Sequence, residues 1–125
     1  MDEIERHFRA GVERFNRGQF FEAHEEMEDA MNLLEDDTRD WDFFRGLLRA
    51  AVANHKLGQG EAASAIIHLR AALALLAPYP DRHRAIRLRE LRSALSAQLM
   101  RIEGAAPHGG APRIELIKSG AETGA

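Results

Sequence analysis

The chain contains no cysteine, which removes disulfides, thiolate zinc sites and cysteine nucleophiles together. It has no long apolar run: the longest, around residues 71–77, falls far short of the roughly 20 residues a membrane-spanning helix needs. Its first residues, MDEIERHF, are charged from the second position. That is the wrong pattern for a secretory signal, so the cytoplasm is the expected compartment. Serine is scarce, and none of Ser64, Ser93, Ser96 and Ser119 stands in a G-x-S-x-G setting. Gly58-Gln59-Gly60 lacks the lysine and the preceding strand of a phosphate-binding loop. A formal net charge of −3 argues against a dedicated nucleic-acid binder.

What remains is a chain of 125 residues, 45% hydrophobic and 30% charged, the size and composition of one globular domain. Apolar residues recur at helical spacing nearly throughout. Ile4, Phe8, Val12 and Phe15 predict a first helix over residues 2–17, with Asp2, Glu3 and Glu5 at the positive end of its dipole and Gly18 as its stop. A second helix is expected over 19–34. Wound at about 100° per residue, it carries Phe20, His24, Met27, Met31 and Leu34 on one stripe. The adjacent carboxylates of residues 35–37 should end it. A third helix, 40–57, has Phe44, Leu47, Leu48, Ala51, Val52 and His55 on its apolar face. A fourth is expected over 61–76. Pro78-Tyr79-Pro80 forces a break, after which Asp81 is positioned to cap a fifth helix reaching about 102. No convincing run of strands appears, and the fold class is all-α. Residues 1–103 form the helical domain and 104–125 a flexible or loosely docked tail, in which 113–118, RIELIK, could pair as a short strand or simply dock.

The first four helices contain a repeat. Phe8 to Val12, Gly18-Gln19 and Ala23 align at an offset of 40 with Leu48 to Val52, Gly58-Gln59 and Ala63; after a two-residue slip, Ala30, Leu33 and Leu34 align with Ala72, Leu75 and Leu76. Each unit is a helix, a glycine turn and a second helix, a pattern reminiscent of tetratricopeptide hairpins. Two units fall short of the roughly three such arrays need, so the fifth helix is expected to cap the stack.

Three constellations stand out. His24 and Glu28 are i, i+4 neighbours, and His55 lies on the core-facing stripe of the next helix. Two imidazoles and a carboxylate match the ligand count of an open catalytic metal site, such as zinc. The competing readings are a structural histidine cluster and a ligand-recognition cluster. Position 28 is glutamate, so this is not the H-E-x-x-H arrangement of metalloproteases. The second constellation is charge. Residues 22–37 hold eight carboxylates and no lysine or arginine, whereas Arg82, Arg84, Arg87, Arg89 and Arg92 crowd the start of the fifth helix. These segments are solvated faces, or attract each other within or between chains, which would make a homodimer. The third is aromatic: Phe20-Phe21, Trp41 and Phe43-Phe44 stand at the starts of helices two and three, as core anchors or as the wall of a pocket beside His24.

The run Phe15-Asn16-Arg17-Gly18-Gln19-Phe20-Phe21-Glu22-Ala23-His24-Glu25, with Glu28 following, resembles the signature of the DUF309 family of small helical proteins of unknown function. Phe44-Arg45-Gly46-Leu47-Leu48 with Ala51, Ala53 and His55 resembles that family's second block, and Gly60 and Ala63 resemble a weakened form of its following turn. Met31 and Arg49 depart from it, standing where tryptophan and glutamine are usual. The resemblance covers about residues 8–76. It implies a tetratricopeptide-like helical bundle and marks His24, Glu25, Glu28 and His55, but it supplies no activity.

The expectation is therefore a non-enzymatic module that binds a protein or small molecule. The alternative is a metal-dependent hydrolase with His24, Glu28 and His55 as ligands and Glu25 as general base.

Overall fold

The computed structural model describes residues 1–34, 39–104 and 111–117. Five helices follow in order: α1 (Glu3–Asn16), α2 (Phe20–Asn32), α3 (Trp41–Gly58), α4 (Ala62–Leu76) and α5 (Leu88–Gly104). Two short strands, β1 (Arg82–His83) and β2 (Ile86–Arg87), precede α5. The all-α class holds. The acidic turn expected at 35–38 lies outside the described residues, as do 105–110 and 118–125.

Each of the first four helices packs on the next, and α4 packs on α5. The helix α3 lies between α2 and α4 and is buried on two sides, with Phe43, Phe44, Gly46, Leu47, Ala50, Ala51, Ala53 and Asn54 all enclosed. Small residues at these contacts let the helices approach closely. On α2 the enclosed residues are Ala23, Met27 and Ala30, while Phe20, His24 and Met31, and Leu34 just beyond the helix, are half-buried. The apolar stripe is thus centred on the alanines rather than on His24, and the imidazole sits at the rim of the core instead of in its middle.

The repeat survives with a shifted register. Gly18 and Gly60 both adopt left-handed φ angles, 77° and 79°, where an L side chain is disfavoured. Across each turn the same closing bond forms: Gln19 N–H donates to the Arg14 carbonyl at 2.9 Å, and Glu61 N–H to the Lys56 carbonyl at 2.9 Å. Gly60 is therefore the counterpart of Gly18, and Ala65, fully enclosed like Ala23, replaces the exposed Ala63 in the alignment. Gly58 is the last residue of α3. The two-residue slip falls before the second turn, not after it.

The fifth helix starts later than its cap residue suggests. Residues 82–87 fold into a hairpin with Arg82 opposite Arg87 and His83 opposite Ile86. Its two loop residues, Arg84 and Ala85, have φ of 47° and 61°. That is the double left-handed pattern of a type I′ turn, built here without the usual glycine or asparagine. Asp81 still serves α5, but through its backbone: its carbonyl accepts from the N–H groups of Leu88 and Arg89 at 2.9 and 3.1 Å. The segment 113–117 pairs along β2. Ile86 bridges Leu116, Arg87 N–H donates to the Glu115 carbonyl, and Ile117 N–H to the Ala85 carbonyl. The Asn16 side chain clasps the backbone of the enclosed Ile114 from α1, donating to its carbonyl at 2.9 Å and accepting its N–H at 2.8 Å.

Candidate functional site

Because consecutive helices run antiparallel, the start of α2 lies against the end of α3. The sequence-adjacent aromatics are thereby divided between the two ends of the bundle. Phe43 and Phe44, at the start of α3, pack with Phe8, Tyr79 and His83; Phe20 and Phe21 belong to the opposite end. A single wall combining both pairs beside His24, as their positions at the helix starts suggest, does not form.

At the Phe21 end the geometry is open. Phe20 turns inward against Phe15, with ring centres 5.2 Å apart. Phe21 turns outward and remains 48% exposed. Its ring meets His24 at 5.4 Å and His55 at 5.5 Å, so the two imidazoles answer each other through an aromatic ring. Phe20, Phe21, His24, Val52, His55, Lys56 and Gln59 line a half-open pocket of about 230 Å³. A second hollow, which shares Phe20, Phe21, His55 and Gln59 and reaches Gly18 and Gly58, adjoins it. The His24 Nδ1 atom lies 3.2 Å from the Phe21 carbonyl. A carbonyl only accepts, so Nδ1 carries the proton of that bond and Nε2 is left facing Glu28, 4.0 Å from Oε2. Glu28 and Glu25 are both exposed. Among the described residues, the three His or carboxylate groups whose ligand atoms all fall within 4.8 Å of one another are His7, Glu26 and Asp29, a set that does not include His24, Glu28 and His55.

At the other end the polar groups close on each other. Asp40 precedes α3, where an aspartate ordinarily caps its own helix, yet its carboxylate is taken by the hairpin. His83 Nε2 lies 2.8 Å from Oδ1, and Arg84 Nε donates to Oδ2. The vacated cap is filled by Tyr79, whose hydroxyl accepts the Phe43 N–H at 3.0 Å and donates to the Arg39 carbonyl at 2.6 Å. Arg84 also lies over the Phe44 ring at 5.1 Å. Burial alone would raise the Asp40 pKa, but the hydrogen bonds and positive charges of Arg84 and His83 outweigh it and hold the carboxyl below its ordinary value of 3.8. Burial pushes the Tyr79 hydroxyl up, as do the nearby charges of Asp42 and Asp40, against the bond from Phe43. Nothing in the spacing of residues 40, 79, 83 and 84 announces this cluster. The one local hint is Pro78-Tyr79-Pro80, which marks a fixed turn.

Of the arginine-rich stretch at the start of α5, Arg84, Arg87 and Arg92 are engaged within the fold, while Arg82 and Arg89 are exposed. Besides Arg84, Arg92 donates to the Leu76 and Tyr79 carbonyls and to Asp81, and Arg87 pairs with Glu90 at 3.6 Å. Two further interhelical contacts escape sequence reading. Asn54 and Gln98, both enclosed, exchange side-chain hydrogen bonds between α3 and α5. Arg49 donates to His68 Nδ1 at 3.0 Å; burial, then the charges of Arg49 and Lys56, depress the His68 pKa below 6.5. No helix among the described residues is long and apolar enough to cross a membrane.

An uncharacterized protein of Aquifex aeolicus (strain VF5) is 35% identical over 85 residues, 68% of this chain, and the chain spans about a quarter (25%) of that relative's length. Residues 8–68 match the family model of a domain of unknown function, DUF309. From the first turns of α1 to the middle of α4, with both histidines of the groove inside the match, the chain belongs to the DUF309 family.

Proposed function

We propose that the Phe21 groove is a recognition site for a protein segment that inserts one apolar side chain flanked by basic residues. The carrying observation is Phe21 itself. It is a large aromatic ring left half-exposed beside a pocket, on a molecule that encloses Phe8, Phe15, Phe43 and Phe44 almost completely and leaves Phe20 half-buried. A pocket of about 230 Å³ is below the roughly 300–1,000 Å³ of drug-sized ligand sites and suits a single side chain. The surrounding surface of α2 is acidic: Glu22, Glu25 and Glu28 are exposed, and the helix has no lysine or arginine. That favours Lys or Arg around the inserted group, accelerating encounter more than it tightens binding. Two stacked helical hairpins, read as tetratricopeptide-type units, are a scaffold suited to this use. Exposed aromatics at the centre of a contact tend to carry much of its binding free energy.

The test compares the intact chain with a Phe21→Ser variant as baits in a native lysate, with the recovered partner then measured by titration. A partner retained by the wild type and lost at least tenfold by the variant supports the reading. Equal recovery by both baits, or no specific partner, removes it.

The competing reading is a metal held by His24, Glu28 and His55 with Glu25 as general base. What supports it is the orientation of His24, whose Nε2 faces Glu28 while Nδ1 is held by the Phe21 carbonyl. Phe21 would have to swing aside for His55 to join them. Zinc binding lost in His24→Ala would establish it.

A further inference from the structure

Two turns further along α2, on the side that meets α1, a different polar group converges. His7 of α1 faces Glu26 and Asp29, which are one turn apart on α2. The His7 Nδ1 atom lies 3.5 Å from Glu26 Oε1 and 4.0 Å from Asp29 Oδ2. That nitrogen is shielded from solvent and has no hydrogen-bond partner. Both separations exceed the roughly 2.7–3.2 Å of an N–H···O bond. Neither protonation state of the imidazole suits the arrangement. With its lone pair turned inward, Nδ1 faces two carboxylates across a shielded gap; with a proton there, the hydrogen bond goes unmade, and a shielded polar atom without a partner destabilises the fold.

A divalent cation removes the conflict in one step. It accepts the Nδ1 lone pair and one oxygen from each carboxylate, and its charge offsets both anions. The size fits. Three ligand atoms separated by 3.5, 4.0 and at most 4.8 Å share a centre no more than about 2.4 Å from each. Zinc–nitrogen and zinc–oxygen bonds of roughly 2.0–2.2 Å would need the side chains to draw in by only a few tenths of an ångström. The Glu26 and Asp29 side chains are 27% and 57% exposed, so water can complete the coordination from the outer side.

We propose that His7, Glu26 and Asp29 form a binding site for a divalent transition-metal ion that joins α1 to α2. The single imidazole favours zinc and its neighbours over magnesium or calcium, which prefer all-oxygen shells. The site is open to water on the Asp29 side. Its role is to clamp the first hairpin. His7 precedes the family match by one residue, so the complete ligand set extends beyond the matched span. The site is separate from the Phe21 groove and stands or falls independently of it.

The test is titration of the chelator-treated full chain with zinc chloride by calorimetry, alongside thermal melting with and without zinc. One zinc per chain is expected, with a raised melting temperature. The affinity should fall at least tenfold in His7→Ala and in the double variant Glu26→Gln/Asp29→Asn, and stay unchanged in His24→Ala and His55→Ala. The double variant keeps the imidazole packing and decides the matter if His7→Ala fails to fold. Absence of stoichiometric binding by the wild type, undiminished binding by the double variant, or loss of binding in His24→Ala would each overturn the proposal.

Discussion

The two ends of the bundle are built from the same materials and arranged to opposite effect. Each has phenylalanine rings beside histidine and a carboxylate near the histidine. At the Tyr79 end, Asp40 receives both His83 and Arg84, the Tyr79 hydroxyl both accepts and donates, and Phe43 and Phe44 are fully enclosed. At the Phe21 end, His24 stands 4.0 Å from Glu28, and the aromatic ring between the histidines faces solvent. Residue types do not separate the two; saturation of the polar groups does. A closed network fixes geometry, whereas groups left facing a hollow are available to a partner.

The closed end also supports local strain. Two consecutive L residues in the left-handed region cost roughly 1–2 kcal/mol each. Arg84 is held there from outside, by Asp40 and the Phe44 ring, and Ala85 through its carbonyl, which accepts from Ile117. The turn is therefore a consequence of tertiary contacts and not of its own sequence.

The sharpest way to break the contrast is Asp40→Ala. It leaves His83 and Arg84 without their shared carboxylate in a half-buried setting and removes the clamp on the turn. A loss of about 3 kcal/mol is expected in denaturant unfolding. Tyr79→Phe keeps the ring and deletes two hydrogen bonds, exposing the Phe43 N–H as an unfilled cap; a loss of about 1–2 kcal/mol is expected by the same measurement. Ala85→Gly has the opposite sign. It relieves one left-handed residue and should stabilise by up to about 1 kcal/mol, less the added freedom of the unfolded chain. If it destabilises, the turn is not strained.

A pH series sharpens the comparison further. The Asp40 pKa is lowered in the fold, so the stability this carboxylate contributes is present above its ordinary value of 3.8 and is lost as pH falls through the lower folded value. The stability difference between wild type and Asp40→Asn should shrink as pH falls below about 4. A difference that persists to pH 2 would show that the carboxylate's charge is not what matters. The smallest effect belongs to the open end. Phe21→Ser should change unfolding free energy by only about 0.5 kcal/mol, because the ring is half in water already. A large loss would make Phe21 a core residue and weaken the recognition reading.

Much of this architecture is legible in the chain itself. The 3.6-residue periodicity marks the five helices, and the core residues Phe8, Val12, Phe15, Met27 and Leu47 lie on the stripes it predicts. The repeat, too, is visible, although its register is not. Gly58 and Gly60 look equivalent as letters, and only the backbone reveals which one carries the positive φ. A reading by hydrophobicity puts His24 on an apolar stripe, because phenylalanine and methionine outweigh alanine in it. Ala23 and Ala30 face the neighbouring helix instead, because helices approach most closely where side chains are smallest. The hairpin at 82–87 is illegible for a related reason: Arg-Ala is not a turn sequence, and the groups that hold it lie some forty positions away.

The sequence by itself determines an all-helical chain of two related hairpins and a closing helix, because hydrophobic periodicity, glycine stops and proline breaks act over a few residues. Only the tertiary structure decides that Asp40 serves a distant arginine instead of its own helix. It alone decides that Phe20 turns in while Phe21 turns out, and that His24 meets His55 through a ring. These outcomes depend on how antiparallel helices align their ends, a choice made by packing across the whole molecule, and no local pattern encodes it.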